Sequence, residues 1–170
     1  MEDADGANVE ISLELPNEAS TEALARRLAP FTAPGDVLAL WGDLGVGKTV
    51  FARAFVRARG DAFEDVPSPT FTLVQVYEPL DGADAPTYHF DLYRLKSFEE
   101  AYELGIEEAF ADGISLVEWP DRLGALLPAH RLDIKLTEAS APDARSVVLE
   151  GHGTWIARLV ESGLAEIALD

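Results

Sequence analysis

The chain has 170 residues, 48% of them hydrophobic and 26% charged, a length that suits one domain with a sizeable core. No apolar run approaches the roughly 20 residues of a membrane span, and the acidic start MEDADGANVE is unlike a secretory leader, so a cytoplasmic protein without membrane attachment is expected. With 31 acidic against 13 basic residues the formal charge is −18, which disfavours extended nucleic-acid binding by this chain alone, and the absence of cysteine excludes disulfides, thiolate zinc sites and a cysteine nucleophile.

Residues 1–7 have nothing to bury and read as a disordered tail; residues 8–170 read as one domain. In 8–15, Val9, Ile11, Leu13 and Leu15 alternate with polar residues, which predicts a strand with one buried face. Leu24, Leu28 and Phe31 then share a helical face, with Asn17 or Ser20 available as cap. Pro34-Gly35 ends that element. The apolar run 36–41 is a short strand, and beyond the glycines that follow it Phe51, Ala54, Phe55 and Ala58 mark one face of a helix ending near Gly60.

Pro67 and Pro69 forbid regular helix, and 70–77 reads as a strand. Residues 79–86 are a turn-rich connection, 87–91 the next strand, and 97–104 a helical stretch. The run ISLV at 114–117 suits a strand buried on both faces of a parallel sheet. Pro120 fits the first turn of a short helix. Strands at 132–136 and 146–149 and a last helix at 154–164 complete the chain. This alternation predicts an α/β fold whose sheet has mixed strand directions, with ligands beyond the carboxyl ends of its parallel strands.

Residues 42–49 read G-x-x-x-x-G-K-T between a strand and a helix, the context that a phosphate-binding loop requires. Backbone N–H groups of such a loop point at a polyphosphate, and the following helix adds its positive end. Lys48 reaches the β- and γ-phosphates, and the Thr49 hydroxyl suits Mg²⁺. Glu118 follows ISLV at the same sheet edge, as a magnesium-binding or water-orienting acid or as a cap of the Pro120 helix. Asp91, in YHFDLYR, is a second such acid, with a salt bridge to Arg94 as its structural alternative; Arg94 facing phosphate is the other choice. Ser68, Thr70 and Thr72 supply hydroxyls for a phosphate-sensitive switch or a rigid strand entry. Trp119 touches the nucleotide or packs in the core. His89, Trp41 and Trp155 read as structural. His89, His130 and His152 lack metal-ligand spacing.

GDLGVGKT, SPTFTLV, YHFDLYRL, ELGI and LVEWPD, in this order, resemble the TsaE (YjeE) family of small bacterial P-loop ATPases, over about residues 15–119. The resemblance implies a P-loop NTPase-like three-layer fold with a central mixed, mainly parallel sheet flanked by helices. It also implies an ATPase that binds and hydrolyses Mg-ATP in support of the TsaD-TsaB complex during threonylcarbamoylation of adenosine 37 in tRNAs reading ANN codons. Such an enzyme is weak alone and stimulated by its partners, and it meets tRNA only through the complex. Carried over by motif, Asp43, Leu44, Gly45, Val46, Gly47, Lys48 and Thr49 hold the phosphates, and Thr49 and Glu118 ligate Mg²⁺. Lys48, Asp91 and Glu118 are the catalytic set, with the role of Asp91 open. Trp119 and, at weaker family positions, Thr21 and Arg145 complete the nucleotide contacts. The residues alone leave a P-loop small-molecule kinase as the alternative, although no arginine-rich lid follows Glu118. The departures, Asp121-Arg122 after EWP and the loop at 81–86, leave the ATPase expectation intact.

Overall fold

The computed structural model describes residues 8–80 and 85–167; the expected tail at 1–7 and most of the connection at 81–86 lie outside the described residues. Strand β1 (Val9–Leu15) alternates buried and exposed side chains as its sequence dictates. Helix α1 (Glu18–Leu28) starts at Asn17, whose side-chain oxygen accepts from the Ser20 backbone N–H at 3.0 Å. This settles which of the two candidate caps serves, and it satisfies one of the four unpaired N–H groups of the first turn. Phe31 follows on a 3-10 turn, Ala29–Phe31, and still packs against the core.

Strand β2 (Val37–Trp41) leads through residues 42–47 into α2 (Lys48–Arg59). The buried side of α2 is Phe51, Ala52, Ala54, Phe55 and Val56. Ala58, expected on that side, is exposed, because the helix has passed the sheet by its last turn. Strand β3 (Val74–Tyr77) is shorter than the predicted 70–77. Leu73 has φ 66°, left-handed backbone in which a strand cannot continue, so residues 66–73 form an irregular loop.

Strand β4 (Thr87–Asp91) precedes a helical stretch that is 3-10 over Phe98–Leu104 and turns at Gly105 into α3 (Ile106–Asp112), a helix the sequence pattern does not reveal. Strand β5 (Ile114–Glu118) is buried throughout. The Pro120 helix is 3-10 over Pro120–Leu126 and is broken at Gly124. Strands β6 (Leu132–Glu138) and β7 (Arg145–Gly151) precede α4 (Trp155–Ser162). Gly163, at φ 68°, ends α4 short of the predicted 164.

The strands form one sheet in the order β1-β7-β6-β2-β5-β4-β3. Pairing is parallel from β6 through β2 and β5 to β4, and antiparallel at both flanks. Because β7 runs against both β1 and β6, strands β1, β6, β2, β5 and β4 all point the same way. The sheet is thus mixed and mainly parallel, as expected. Alternation along β2 sends Leu38 and Leu40 to one face and Val37 to the other.

Each face carries its own apolar cluster. Leu24 and Leu28 of α1, Phe51 and Phe55 of α2 and Trp155 and Leu159 of α4 cover one side. Ile106 and Ala109 of α3, with Leu123 of the Pro120 segment, cover the other. Each large buried side chain contributes about 1.5–3 kcal/mol, so the three layers hold the parallel strand ends rigidly at one edge. Among the described residues no helix is long and apolar enough to cross a membrane.

Candidate nucleotide-binding site

The loop between β2 and α2 exists because its glycines permit it. At Gly42 (φ 143°) a Cβ would stand 2.6 Å from Val46 Cγ1 and 2.7 Å from the Leu136 carbonyl oxygen, so no side chain fits. Gly47 has open space around it but a φ of 113°, which an L side chain rarely adopts. A turn bond from Val46 N–H to Asp43 O at 3.2 Å closes the loop, and the Phe51 N–H to Gly47 O bond at 3.0 Å starts the helix. Val46 turns into the core, whereas Asp43, Leu44 and Gly45 are exposed.

Strand register supplies the acids. Asp91 on β4 lies directly opposite Glu118 on β5, and Glu118 lies opposite Leu40 on β2. Both carboxylates therefore emerge at the edge where the loop begins. A cavity of about 420 Å³ opens there, lined by Leu44, Gly45, Gly47, Lys48 and Thr49 from the loop and helix and by Ser68, Thr70, Asp91, Arg94, Glu118 and Trp119 from across it.

Lys48 is only 4% exposed; its ammonium donates to the Gly42 carbonyl and stands 3.5 Å from the centroid of the Trp119 ring. Burial lowers its pKa from the usual lysine value, and Glu118 and Asp91 oppose that shift. Thr49 Oγ1 donates to Glu118 Oε1 at 3.2 Å. Asp91 Oδ1 accepts from Tyr93 N–H at 3.1 Å, and its Oδ2 receives the Ser68 hydroxyl at 3.5 Å. Burial raises the Asp91 pKa above the ordinary carboxylate value, against the pull of the Tyr93 N–H.

Trp119 has left-handed backbone, φ 60° and ψ 52°, and its ring is tilted 50° against Tyr93 with centroids 5.0 Å apart. A non-glycine residue held there costs about 1–3 kcal/mol, and in this conformation the indole lies over Lys48. Arg94 lies 4.8 Å over the Phe71 ring at the cavity rim rather than in an ion pair with Asp91. Ser68 and Thr70 share a hydroxyl contact of 2.9 Å beside the cavity, while the Thr72 hydroxyl accepts from Gln75 Nε2 at 3.2 Å.

The two weaker nucleotide positions lie elsewhere. Thr21 and Arg145 line a recess of about 90 Å³ behind the loop, together with Val46 and Asp143. Arg145 donates to the Val46 carbonyl at 2.9 Å and to Pro142 O and Ala144 O at 2.8 Å, so its guanidinium clasps the loop from β7. Asp43 lines neither space.

His89, which the sequence suggests is structural, is fully buried with Nε2 2.7 Å from Glu118 Oε2. The available signal was its position two residues before Asp91, which places both on one face of β4. Trp41 and His152, likewise unremarkable in sequence, both bond Asp133, at 2.8 and 2.9 Å; Arg131 bonds it too, so this second cluster of acid and imidazole is internally satisfied. A cavity of about 570 Å³ beside β3 is larger, but it is ringed by Asp61, Glu64, Asp65 and Glu78 and would repel a polyphosphate.

Known proteins resemble this chain over most of its length. The model of the family described as "Threonylcarbamoyl adenosine biosynthesis protein TsaE" matches residues 15–147. The chain is 42% identical over 124 residues to the tRNA threonylcarbamoyladenosine biosynthesis protein TsaE of Rickettsia felis, covering 73% of this chain and 71% of that one. Against the Bacillus subtilis protein of the same description it is 40% identical over 146 residues, covering 85% and 88%. The crystal structure of Bacillus subtilis YdiB superposes with a TM-score of 0.71 at 32% identity, over 91% of this chain and 93% of that one. With this loop, these acids and relatives matched over most of its length, the chain belongs to the TsaE family of threonylcarbamoyladenosine biosynthesis proteins.

Proposed function

We propose that the chain is a cytoplasmic ATP hydrolase that uses Mg-ATP in support of a TsaD-TsaB complex during threonylcarbamoylation of adenosine 37 in tRNAs reading ANN codons. The observation that carries this reading is the convergence of Lys48, Thr49, Asp91 and Glu118 on a cavity that the glycine loop lines.

The loop N–H groups would bind the phosphates, and the Lys48 ammonium, leaving the Gly42 carbonyl, would reach the terminal ones. The paired Thr49 hydroxyl and Glu118 carboxylate are hard oxygen donors of the kind that suits Mg²⁺. Magnesium bound by them would supply positive charge to the phosphate oxygens. Asp91, held by Ser68 and the Tyr93 N–H, would orient the attacking water. Arg94 lines the cavity with its guanidinium stacked on Phe71, and would have to leave that ring to act on the phosphates as a finger. Turnover by the isolated chain is therefore slow and rises when partners complete the site. At −18 the chain meets tRNA through those partners.

The test is ATP hydrolysis by the purified chain alone and with TsaB and TsaD, with Lys48→Ala as the blank. Turnover that rises with the partners and vanishes in the variant is the expected result. Turnover indifferent to the partners, with phosphate transfer to a small metabolite, overturns it in favour of a kinase.

A further inference from the structure

His89 is the one buried ionisable side chain at this site to which nothing above gives a task. It is 0% exposed, sits on the same face of β4 as Asp91, and brings Nε2 to 2.7 Å from Glu118 Oε2. Its other nitrogen, Nδ1, is buried without a hydrogen-bond partner. The pair of observations fixes the tautomer. A nitrogen this close to a carboxylate oxygen carries the proton, and an unpartnered ring nitrogen is tolerated in a dry environment as a lone pair rather than as an N–H. His89 thus donates from Nε2 to Glu118.

Glu118 is held from two sides. Oε2 is engaged by His89 at 2.7 Å, while the Thr49 hydroxyl stands 3.2 Å from Oε1 and 3.4 Å from Oε2. A carboxylate with one oxygen tied down offers a cation the other oxygen alone. Small dications that demand octahedral geometry accept one oxygen per carboxylate, whereas larger, more flexible ones readily take both. Hydrogen bonds to the back of a ligating group also fix its direction. Resting on the proposed use of a metal–nucleotide complex, we infer that His89 is a positioning residue. Its Nε2–H holds Glu118 Oε2 so that Oε1, beside Thr49, is the single oxygen offered to the cation, and the site selects Mg²⁺ over Ca²⁺.

The test is the affinity of the full chain for the β,γ-imido analogue of ATP in EDTA, in Mg²⁺ and in Ca²⁺, by calorimetry. Wild type should bind more tightly with Mg²⁺ than with Ca²⁺. In His89→Leu the gain from Mg²⁺ should shrink about 10-fold or more, with the Mg²⁺ to Ca²⁺ ratio narrowing and the affinity in EDTA unchanged. His89→Gln, whose amide nitrogen reaches the position of Nε2, should restore the ratio. His89→Asn, whose shorter amide reaches only the position of Nδ1, should not. A folded His89→Leu that keeps the wild-type ratio to within about twofold overturns the inference, as do equal ratios in the Gln and Asn variants. If the Leu variant does not fold, the comparison of Gln with Asn decides. Wild type that gains nothing from either cation sinks the metal reading itself, an outcome separate from failure of His89 alone.

Discussion

Burial holds the Asp91 carboxyl above the ordinary carboxylate value. Its folded pKa is raised, so between the ordinary carboxylate value and the folded value the native state holds the proton more tightly than the unfolded one. The stability tied to that proton is present below the ordinary value and lost as pH rises through the folded value. Above the folded value the ionised group opposes folding. Asp91→Asn should therefore raise the melting temperature of the ligand-free protein at pH 7, by about 2–4 °C per kcal/mol of relief. The gain should fade as the pH falls toward 4, near the ordinary carboxylate value, and hydrolysis at pH 7 should fall by roughly 10²-fold or more. A melting curve at the two pH values checks the sign; a lower melting temperature at pH 7 would refute it. Sequence spacing made Lys48, Thr49 and Glu118 legible because a loop, a helix start and a strand end fix their positions locally. His89 was not legible. Its partner lies on another strand, and only the register of β4 against β5, which pairs His89 with Leu116, sets Glu118 diagonally across from it.

At the scale of elements, the predicted strands and helices largely appear where periodicity places them, and the misses have local causes. A spacing of three or four apolar residues does not separate 3-10 from α-helix, so Phe98–Leu104 and Pro120–Leu126 read as ordinary helix. Strand β3 loses its predicted start to the left-handed turn at Leu73, which no glycine announces. The phosphate loop was the clearest element because its glycines are demanded by the backbone. Gly42→Ala tests this. With Val46 and the Leu136 carbonyl both under 3 Å from the new methyl group, the loop must move, at a cost of about 1–3 kcal/mol. The expected result is a melting temperature lower by about 2–12 °C and loss of nucleotide binding. Unchanged stability would mean that the loop yields without resistance.

For the molecule as a whole, the balance of 31 acidic to 13 basic residues makes the folded state repel itself. Raising NaCl from about 10 to 150 mM shortens the Debye length from about 30 to 8 Å and should raise the melting temperature. A fall over that range would show that attractive pairs, such as Lys135 with Glu150, outweigh the repulsion. Strand order was beyond the sequence, since long-range pairing leaves no local trace, whereas the mixed directions followed from the alternation of elements. The two sheet faces are also unequal. One is roofed by α1, α2 and α4, the other by α3 between two 3-10 segments whose hydrogen bonds have poorer geometry. Amide hydrogens should consequently exchange with solvent deuterium at two speeds, slowly beneath the first roof and quickly along 98–104 and 120–126. Trp119 stands at the head of the quick-exchanging segment and lies over Lys48, so the side of the molecule that opens most readily is also the side that holds the lysine in place.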